Sequence, residues 1–335
     1  MIDVHTNGAG DFLFNRDQGN AVKAASRAYA STGATGFAAT IMTAPWESML
    51  HVASEVAEAA HELAEEQEPS GARCLGIHFE GPFLNPKFRR VHRADWLRPA
   101  TVADAKALIE ASRGTMVIST MAPEVDGAGE VARFLFDQGI VCAAGHTSAK
   151  YRDGMLAIGL GFRSLTHAFN GMAPLDHRDP SILASFIQET RTTVQVICDG
   201  YHVAPVMIDI LHRTLGDRMV LATDYMAPAG NGYRVEGGVV RSEDGTIAGS
   251  ALQCDQAVRN LISYASLPFE RAIVCATAAP ARLLGVDRER GTIGRGKCAD
   301  LSIWSRDHEV MATIVAGVPV FGGHHLAPEP AHIPG

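Results

Sequence analysis

The feature that most restricts the fold of this 335-residue chain is a regular alternation of short apolar runs with longer helix-like stretches. Runs rich in β-branched and apolar residues fall at 2–6, 36–42, 74–80, 115–121, 140–145, 162–167, 193–198 and 219–223, eight in all. Helix-like segments at 19–31, 48–67, 102–112, 129–138, 148–158, 180–189, 204–215 and 255–265 alternate with them and close the series. Strands apolar on both faces are buried on both sides, as parallel strands covered by helices are. Eight strand–helix units in series predict an α/β fold, a (β/α)8 TIM-type barrel. A doubly wound open sheet shares the alternation but commonly uses fewer units.

Two segments fall outside this ring. Residues 233–250 read as a hairpin inserted after the eighth strand, turning at Glu243-Asp244-Gly245. The stretch 291–321 is strand-rich, with turn signals at Gly294-Arg295-Gly296 and Gly317-Val318-Pro319. The expected division is a barrel over 1–280, then an incomplete small β segment and tail over 281–335, loose from Leu326 onward.

With a formal charge of -8 and no basic stripe, the chain is not expected to bind nucleic acid. An anionic ligand would therefore need a local cation working against the overall field. Neither a leader peptide nor a membrane span is expected, because the N-terminus lacks a basic region and no long apolar run occurs. Six cysteines lie scattered without any C-x-x-C pair, which fits a reducing, cytoplasmic compartment.

In barrels, reactive groups gather where the C-terminal ends of the strands open into one mouth. Here the first strand ends at His5, the third at Glu80, the fourth at Glu124, the fifth at His146 and the sixth at His167. The seventh leads to Asp199 and His202, and the eighth to Asp224. Singly, each has a plain structural explanation: a strand-end histidine packs, and an acid such as Glu80 before Gly81-Pro82 is a buried structural group. Together, the Glu80 carboxylate and the His146 and His167 imidazoles suit a catalytic zinc that keeps a position open. Asp224 would face the ion's water, whose pKa such an ion lowers to about 7, and accept its proton. The plain alternative for Asp224 is a cap on the following turn.

These residues sit in recognisable segments: Ile2-Asp3-Val4-His5, His78-Phe79-Glu80-Gly81-Pro82-Phe83, Met121-Ala122-Pro123-Glu124 and Gly145-His146-Thr147. Others are Thr166-His167-Ala168-Phe169-Asn170-Gly171-Met172, Asp199-Gly200-Tyr201-His202, Thr223-Asp224 and Gly296-Lys297-Cys298-Ala299-Asp300. Through them the chain resembles the N-acetylglucosamine-6-phosphate deacetylases of the amidohydrolase superfamily. The resemblance implies one divalent transition metal per subunit, zinc first, held by Glu80, His146 and His167. It implies that Asp224 is general base and later acid, and that His92 binds and polarises the acetyl carbonyl. Val91, Asn170, Gly171, Arg178 and His202 would bind the phosphorylated amino sugar, with Ile247, Ala248 and Gly249 lining the pocket. The implied reaction releases acetate from N-acetylglucosamine 6-phosphate, and the implied assembly is a homodimer. Two other readings stay open: a different N-acyl substrate such as N-acetylgalactosamine 6-phosphate, and a truncated, catalytically silent sugar-phosphate binder.

The chain also departs from the pattern. Many superfamily members open with H-x-H, whereas this chain has His5-Thr6-Asn7, and a neutral amide is a poor zinc ligand. A single-metal site follows, with His5 either supporting a ligand or serving as a weak alternate one. Arg90 and Ser181 stand where the family usually has glycine, which leaves the sugar's identity open. Arg89 and Arg90 could add charge for a phosphate or form a solvated basic loop. Relatives normally begin with strands that pair with the C-terminal segment, so the strands within 291–321 are expected to present open edges. An upstream start, a covering subunit or a damaged protein would each account for that.

Overall fold

The computed structural model describes residues 1–227 and 232–326, so the tail expected beyond Leu326 lies outside the described residues. In chain order the barrel elements are β1 (Ile2–Thr6), α1 (Phe14–Ser31), β2 (Gly36–Met42), α2 (Trp46–Glu65), β3 (Arg73–Glu80), α3 (Val102–Ala111) and β4 (Met116–Met121). Next come α4 (Ala128–Asp137), β5 (Val141–Ala144), α5 (Tyr151–Leu160), β6 (Phe162–Leu165), α6 (Ile182–Gln188), β7 (Thr193–Ile197), α7 (Pro205–Leu215) and β8 (Met219–Ala222). The eight strands form one sheet in which each neighbours the next in sequence. That unreversed order is a barrel's; a doubly wound sheet reverses at its switch point. The ring closes between β1 and β8: the Asp224 N–H donates to the His5 carbonyl at 2.8 Å and the Asn7 N–H to the Tyr225 carbonyl at 2.9 Å. Beneath them the buried Asp3 carboxylate accepts the Thr223 hydroxyl at 2.6 Å, tying the two strands side chain to side chain.

Helices bury one stripe each. On α2, Met49, Val52, Ala53, Val56, Ala57, Ala60 and Leu63 are buried, the three-and-four spacing of an amphipathic helix. The first helix begins at Phe14 rather than at 19, with a break at Gln18 (φ 53°), because fully buried Phe14 anchors an extra turn. Inside the ring, Ile2, Val4, Ile118, Ala143, Val220 and Ala222 pack together with Ala279, Ala281 and Leu283. The last three come from a short helix that the alternation did not predict, and which plugs the ring. It is α10 (Ala278–Leu283), following α8 (Cys254–Ala265) and α9 (Phe269–Ala272). Nearer the mouth the interior turns polar at His78, Thr120 and Thr166. His78 bonds the Thr120 hydroxyl at 2.7 Å, and Thr120 bonds Thr166 at 2.8 Å. Alternation along β3 then puts Glu80 on the same inward face as His78, one layer nearer the mouth.

The expected hairpin at 233–250 is a three-stranded antiparallel sheet, β9 (Arg234–Glu236), β10 (Val239–Arg241) and β11 (Ile247–Ser250). Gly237 and Gly238, both at positive φ, make the additional turn that one hairpin would not need. It docks on the barrel through β11: the Ser250 N–H donates to the Asp224 carbonyl at 2.9 Å, and the Met226 N–H to the Ser250 carbonyl at 3.0 Å. Residues 247–249 are thereby laid beside the mouth. The C-terminal strands begin at 301 rather than 291, as β12 (Leu301–Trp304), β13 (Val310–Val315) and β14 (Val318–Phe321). Within that sheet β12 and β14 each pair on one side only, and Thr313 ties it to α1 by donating to the Ala30 carbonyl at 2.6 Å. Among the described residues no helix is long and apolar enough to cross a membrane.

Candidate active site

Glu80 is the last residue of β3, while His146, His167 and Asp224 each lie two residues beyond their strands. These three have φ of 48°, 28° and 48°, the left-handed region that non-glycine residues enter at a cost of about 1–2 kcal/mol. Such a cost persists where surrounding structure overrides it, commonly at functional sites. Here it swings each side chain off its strand and over the mouth.

The geometry is tight. Glu80 Oε1 lies 3.0 Å from His146 Nε2 and 3.1 Å from His167 Nε2, and the two Nε2 atoms are 3.2 Å apart. On the far side of each ring, His146 Nδ1 faces the Phe88 carbonyl at 2.8 Å and His167 Nδ1 the Asn170 carbonyl at 3.1 Å. Carbonyls only accept, so both Nδ1 atoms carry protons and each neutral ring directs its Nε2 lone pair inward. Three acceptors then converge on one another, an arrangement that repels itself unless a proton or cation sits between them. One carboxylate and two imidazoles are also a donor set that holds transition metals. His92 offers a second triad: its ligand atom lies with those of Glu80 and His146 within 4.8 Å. Its Nε2 is 3.6 Å from Glu80 Oε2, a looser contact than either His146 or His167 makes.

Charge is balanced locally. Burial opposes ionisation of Glu80, yet the charge on His5 beside it holds its carboxyl well below the usual range. Burial pulls the His5 imidazole down, but the carboxylates of Glu80 and Asp224 outweigh it and carry it up to about 9. His5 Nε2 lies 3.6 Å from Glu80 and 3.4 Å from Asp224, and neither ring nitrogen has a hydrogen-bond partner. Burial lowers His92 to about 3, so that ring is neutral at ordinary pH. These two groups give metal-free protein a stability maximum. Raised His5 contributes stability that is complete below its unfolded pKa of about 6.5 and is lost as pH rises through 9. Depressed His92 does the reverse: the unfolded chain takes up a proton that the folded chain refuses, so stability falls as pH drops from about 6.5 toward 3. The melting midpoint of chelator-treated protein should peak near pH 6 to 7. A midpoint climbing steadily to pH 9 would contradict the surroundings assigned to His5.

Asp224 Oδ1 accepts the side-chain N–H of Asn7 at 2.9 Å. Asn7, set aside from sequence as a poor ligand, thus serves as a donor instead. Around these groups opens a cavity of about 240 Å³, lined by Met42, Glu80, His92, His146, His167 and Asp224 on one side. Val91, Asn170, Gly171, His202, Ile247, Ala248 and Gly249 complete it, together with Arg90 and Thr246. A Cβ on Gly171 would come 2.9 Å from His146 Nδ1, so only glycine lets that backbone close on the site. His202 Nδ1 is 2.6 Å from Asp199 Oδ2, which orients the ring. Arg178 is not brought in. It is exposed on the loop after Met172, where Asp176 accepts its backbone N–H at 2.7 Å and holds a tight turn away from the cavity wall. Glu124 is also absent from that wall; it braces the turn after His146, accepting from Thr147 at 2.5 Å and the Ser148 N–H at 2.6 Å. Met42 and Thr246 were missed from sequence, since neither side chain advertises chemistry.

A parallel barrel carrying a carboxylate and imidazoles at its mouth defines a class, and the amidohydrolase family model matches residues 1–320: the chain belongs to the amidohydrolase family. Within it the chain falls with the N-acetylglucosamine-6-phosphate deacetylases. It is 32% identical over 331 residues to the N-acetylglucosamine-6-phosphate deacetylase of Vibrio furnissii, covering 96% of this chain and 82% of that protein. It is 30% identical to the N-acetylgalactosamine-6-phosphate deacetylase of Escherichia coli O157:H7, covering 90% and 81%. The structure is similar, at TM-score 0.87 and 31% identity over 95% of this chain and 85% of that one, to a variant N-acetyl-D-glucosamine-6-phosphate deacetylase of Mycobacterium smegmatis in complex with N-acetyl-D-glucosamine-6-phosphate. The chain is therefore a hydrolytic enzyme.

Proposed function

We propose that this enzyme hydrolyses the acetamide of N-acetylglucosamine 6-phosphate to acetate and glucosamine 6-phosphate. The observation that carries the proposal is the convergence of three acceptor atoms, from Glu80, His146 and His167, at 3.0–3.2 Å. Those residues would hold one divalent transition ion, zinc fitting best; the tighter of the two triads is preferred because both of its rings are fixed from behind by carbonyls. When bound, such an ion supplies Lewis acidity toward the amide oxygen and acidifies water. Asp224, oriented by Asn7, takes the proton of the attacking water and returns it to the departing nitrogen, without which an amine cannot leave. His92 is neutral and buried, with Nδ1 unpartnered, and gives a hydrogen bond to the acetyl oxygen as charge builds there. The cavity, just under the roughly 300 Å³ at which small-molecule pockets begin, suits one monosaccharide rather than a chain of them. Val91, Asn170, Gly171, His202 and the 247–249 strand would cradle that sugar. Six free cysteines fit a reducing compartment such as the cytoplasm.

Metal analysis beside acetate release from the gluco and galacto isomers, each with and without the 6-phosphate, tests this. The expected result is one transition ion per chain and highest kcat/KM on N-acetylglucosamine 6-phosphate. A higher value on the galacto isomer would move the substrate and keep the chemistry. Protein without tightly bound metal and without acetate release would sink the reading.

A further inference from the structure

We propose that Asp3 is a positioning residue of the reaction: its buried carboxylate fixes the backbone from which Asp224 reaches the mouth. The inference rests on the role proposed above for Asp224 and gives Asp3 a part that neither the resemblance nor the cavity wall assigns it. Every strand of the eight-stranded sheet is laddered to the next in sequence, but no ladder joins β8 back to β1. That joint has a single bridge, between Thr6 and Tyr225, beyond the end of β8. Below the bridge a side chain does what a ladder would do. One oxygen of the Asp3 carboxylate accepts the His5 N–H at 3.2 Å and the Thr223 N–H at 3.3 Å, so it spans both strands. The other accepts the Thr223 hydroxyl at 2.6 Å and the Tyr29 hydroxyl of α1 at 3.2 Å. Four donors thus converge on a group that is 1% exposed.

The grip passes directly to Asp224. Asp3 holds the N–H and the hydroxyl of Thr223, and the Thr223 carbonyl accepts the Ser250 hydroxyl at 2.5 Å. Every polar group of Thr223 is therefore fixed before the chain enters the left-handed φ of 48° at Asp224. The Asp224 N–H then donates to the carbonyl of His5, whose own N–H is bound by Asp3. One carboxylate sets both sides of the hydrogen bond that anchors Asp224. A strained φ persists only where its surroundings over-determine it, and Asp3 is the part of those surroundings that joins the two strands. Without it, the buried N–H groups of His5 and Thr223 lose their acceptor, which favours a shift of the strand end toward new partners. Asp3 does not line the cavity, so its removal takes away no contact with substrate. What it takes away is the placement of the proton-handling group, and a misplacement of about 1 Å can cost on the order of 10²-fold in rate.

Acetate release from N-acetylglucosamine 6-phosphate, metal content and melting midpoint, measured for the wild type, Asp3→Ala, Asp3→Asn and Thr223→Val, test the assignment. Asp3→Ala should lower kcat about 10²-fold, with KM changed less than about twofold and metal retained. Asp3→Asn, whose amide oxygen can still accept both N–H groups, should recover about tenfold of that loss. Thr223→Val gives up a single hydroxyl and should lower kcat at least about threefold. In an Asp224→Asn background, Asp3→Ala should cost less than about threefold more, because two residues that act through one group are not additive. Wild-type kcat in folded, metal-loaded Asp3→Ala, or an equal loss in both backgrounds, would overturn the assignment while leaving the deacetylase reading standing. An Asp3 that only closes the barrel would lower the melting midpoint and spare kcat. Should Asp3→Ala not fold, wild-type kcat in Thr223→Val would overturn the assignment in its place. Absent turnover in the wild type would instead strike the deacetylase reading. Hydrogen exchange then decides on Asp3: the amides of 222–226 should exchange faster in Asp3→Asn and Thr223→Val than in the wild type, and unaltered protection would dispose of the inference.

Discussion

Asp224→Asn should lower kcat by about 10³-fold, the middle of the range for losing a positioned general acid–base, while the protein stays folded and keeps its metal. The substitution is nearly isosteric. The new amide oxygen can still accept from Asn7, which now donates to Asp224 Oδ1 at 2.9 Å, so the local packing survives. What disappears is the capacity to take a proton from water and pass it to the leaving nitrogen. KM should move little, because the lost interaction belongs to the transition state rather than to substrate binding. A merely structural Asp224, capping its turn, would instead lower stability and leave kcat of the folded variant nearly intact. Retention of more than a tenth of wild-type kcat would remove Asp224 from the reaction.

The site was legible in the sequence to the extent that its residues are attached to strands. Glu80, His146, His167 and Asp224 could be placed at one mouth because apolar, β-branched runs precede them, and a barrel points every strand end the same way. The strand ends themselves were drawn long: β5, β6 and β8 stop at Ala144, Leu165 and Ala222, before the residues that turn into the site. Periodicity cannot see a switch to positive φ at a histidine or aspartate, since that cost is offset by tertiary contacts. For the same reason the plug α10 went unread; Ala278-Ala279-Pro280-Ala281 is too short and too uniformly small to show a helical stripe, and its partners lie in β1 and β8. Loops were least legible. Nothing in the local sequence says that Asp176 curls the segment carrying Arg178 away from the cavity while Arg89 braces Arg90 toward it. The resemblance supplied a role for Arg178, which within one chain is exposed and outside the cavity wall.

Glu80→Gln should be more damaging still, and its failure would be of a different kind. In the wild type the carboxylate is, among the described residues, the sole anionic group touching both inward-facing imidazoles, at 3.0 and 3.1 Å. Replacing it with a neutral amide leaves two rings to hold a divalent ion with no compensating charge, and an amide is a poor ligand for zinc. Bound metal should therefore be lost on dialysis, where Asp224→Asn retains it. Because an ion's charge stabilisation of an amide-hydrolysis transition state is worth several kcal/mol, activity should fall at least about 10³-fold at stoichiometric metal. Stability gives an independent reading. An ion bound at 100 times its dissociation constant adds about 2.7 kcal/mol to the folded state. Chelation should then lower the wild-type melting midpoint, and zinc should restore it, while the variant's midpoint ignores both. His5 should respond as well, since the Glu80 charge is the first of the groups that raise its pKa; in the variant its basic-side contribution to stability shrinks. If Glu80→Gln instead keeps a stoichiometric ion, the metal is held by imidazoles alone. The looser position of His92 would then become a ligand position, and the acetyl oxygen would need another donor.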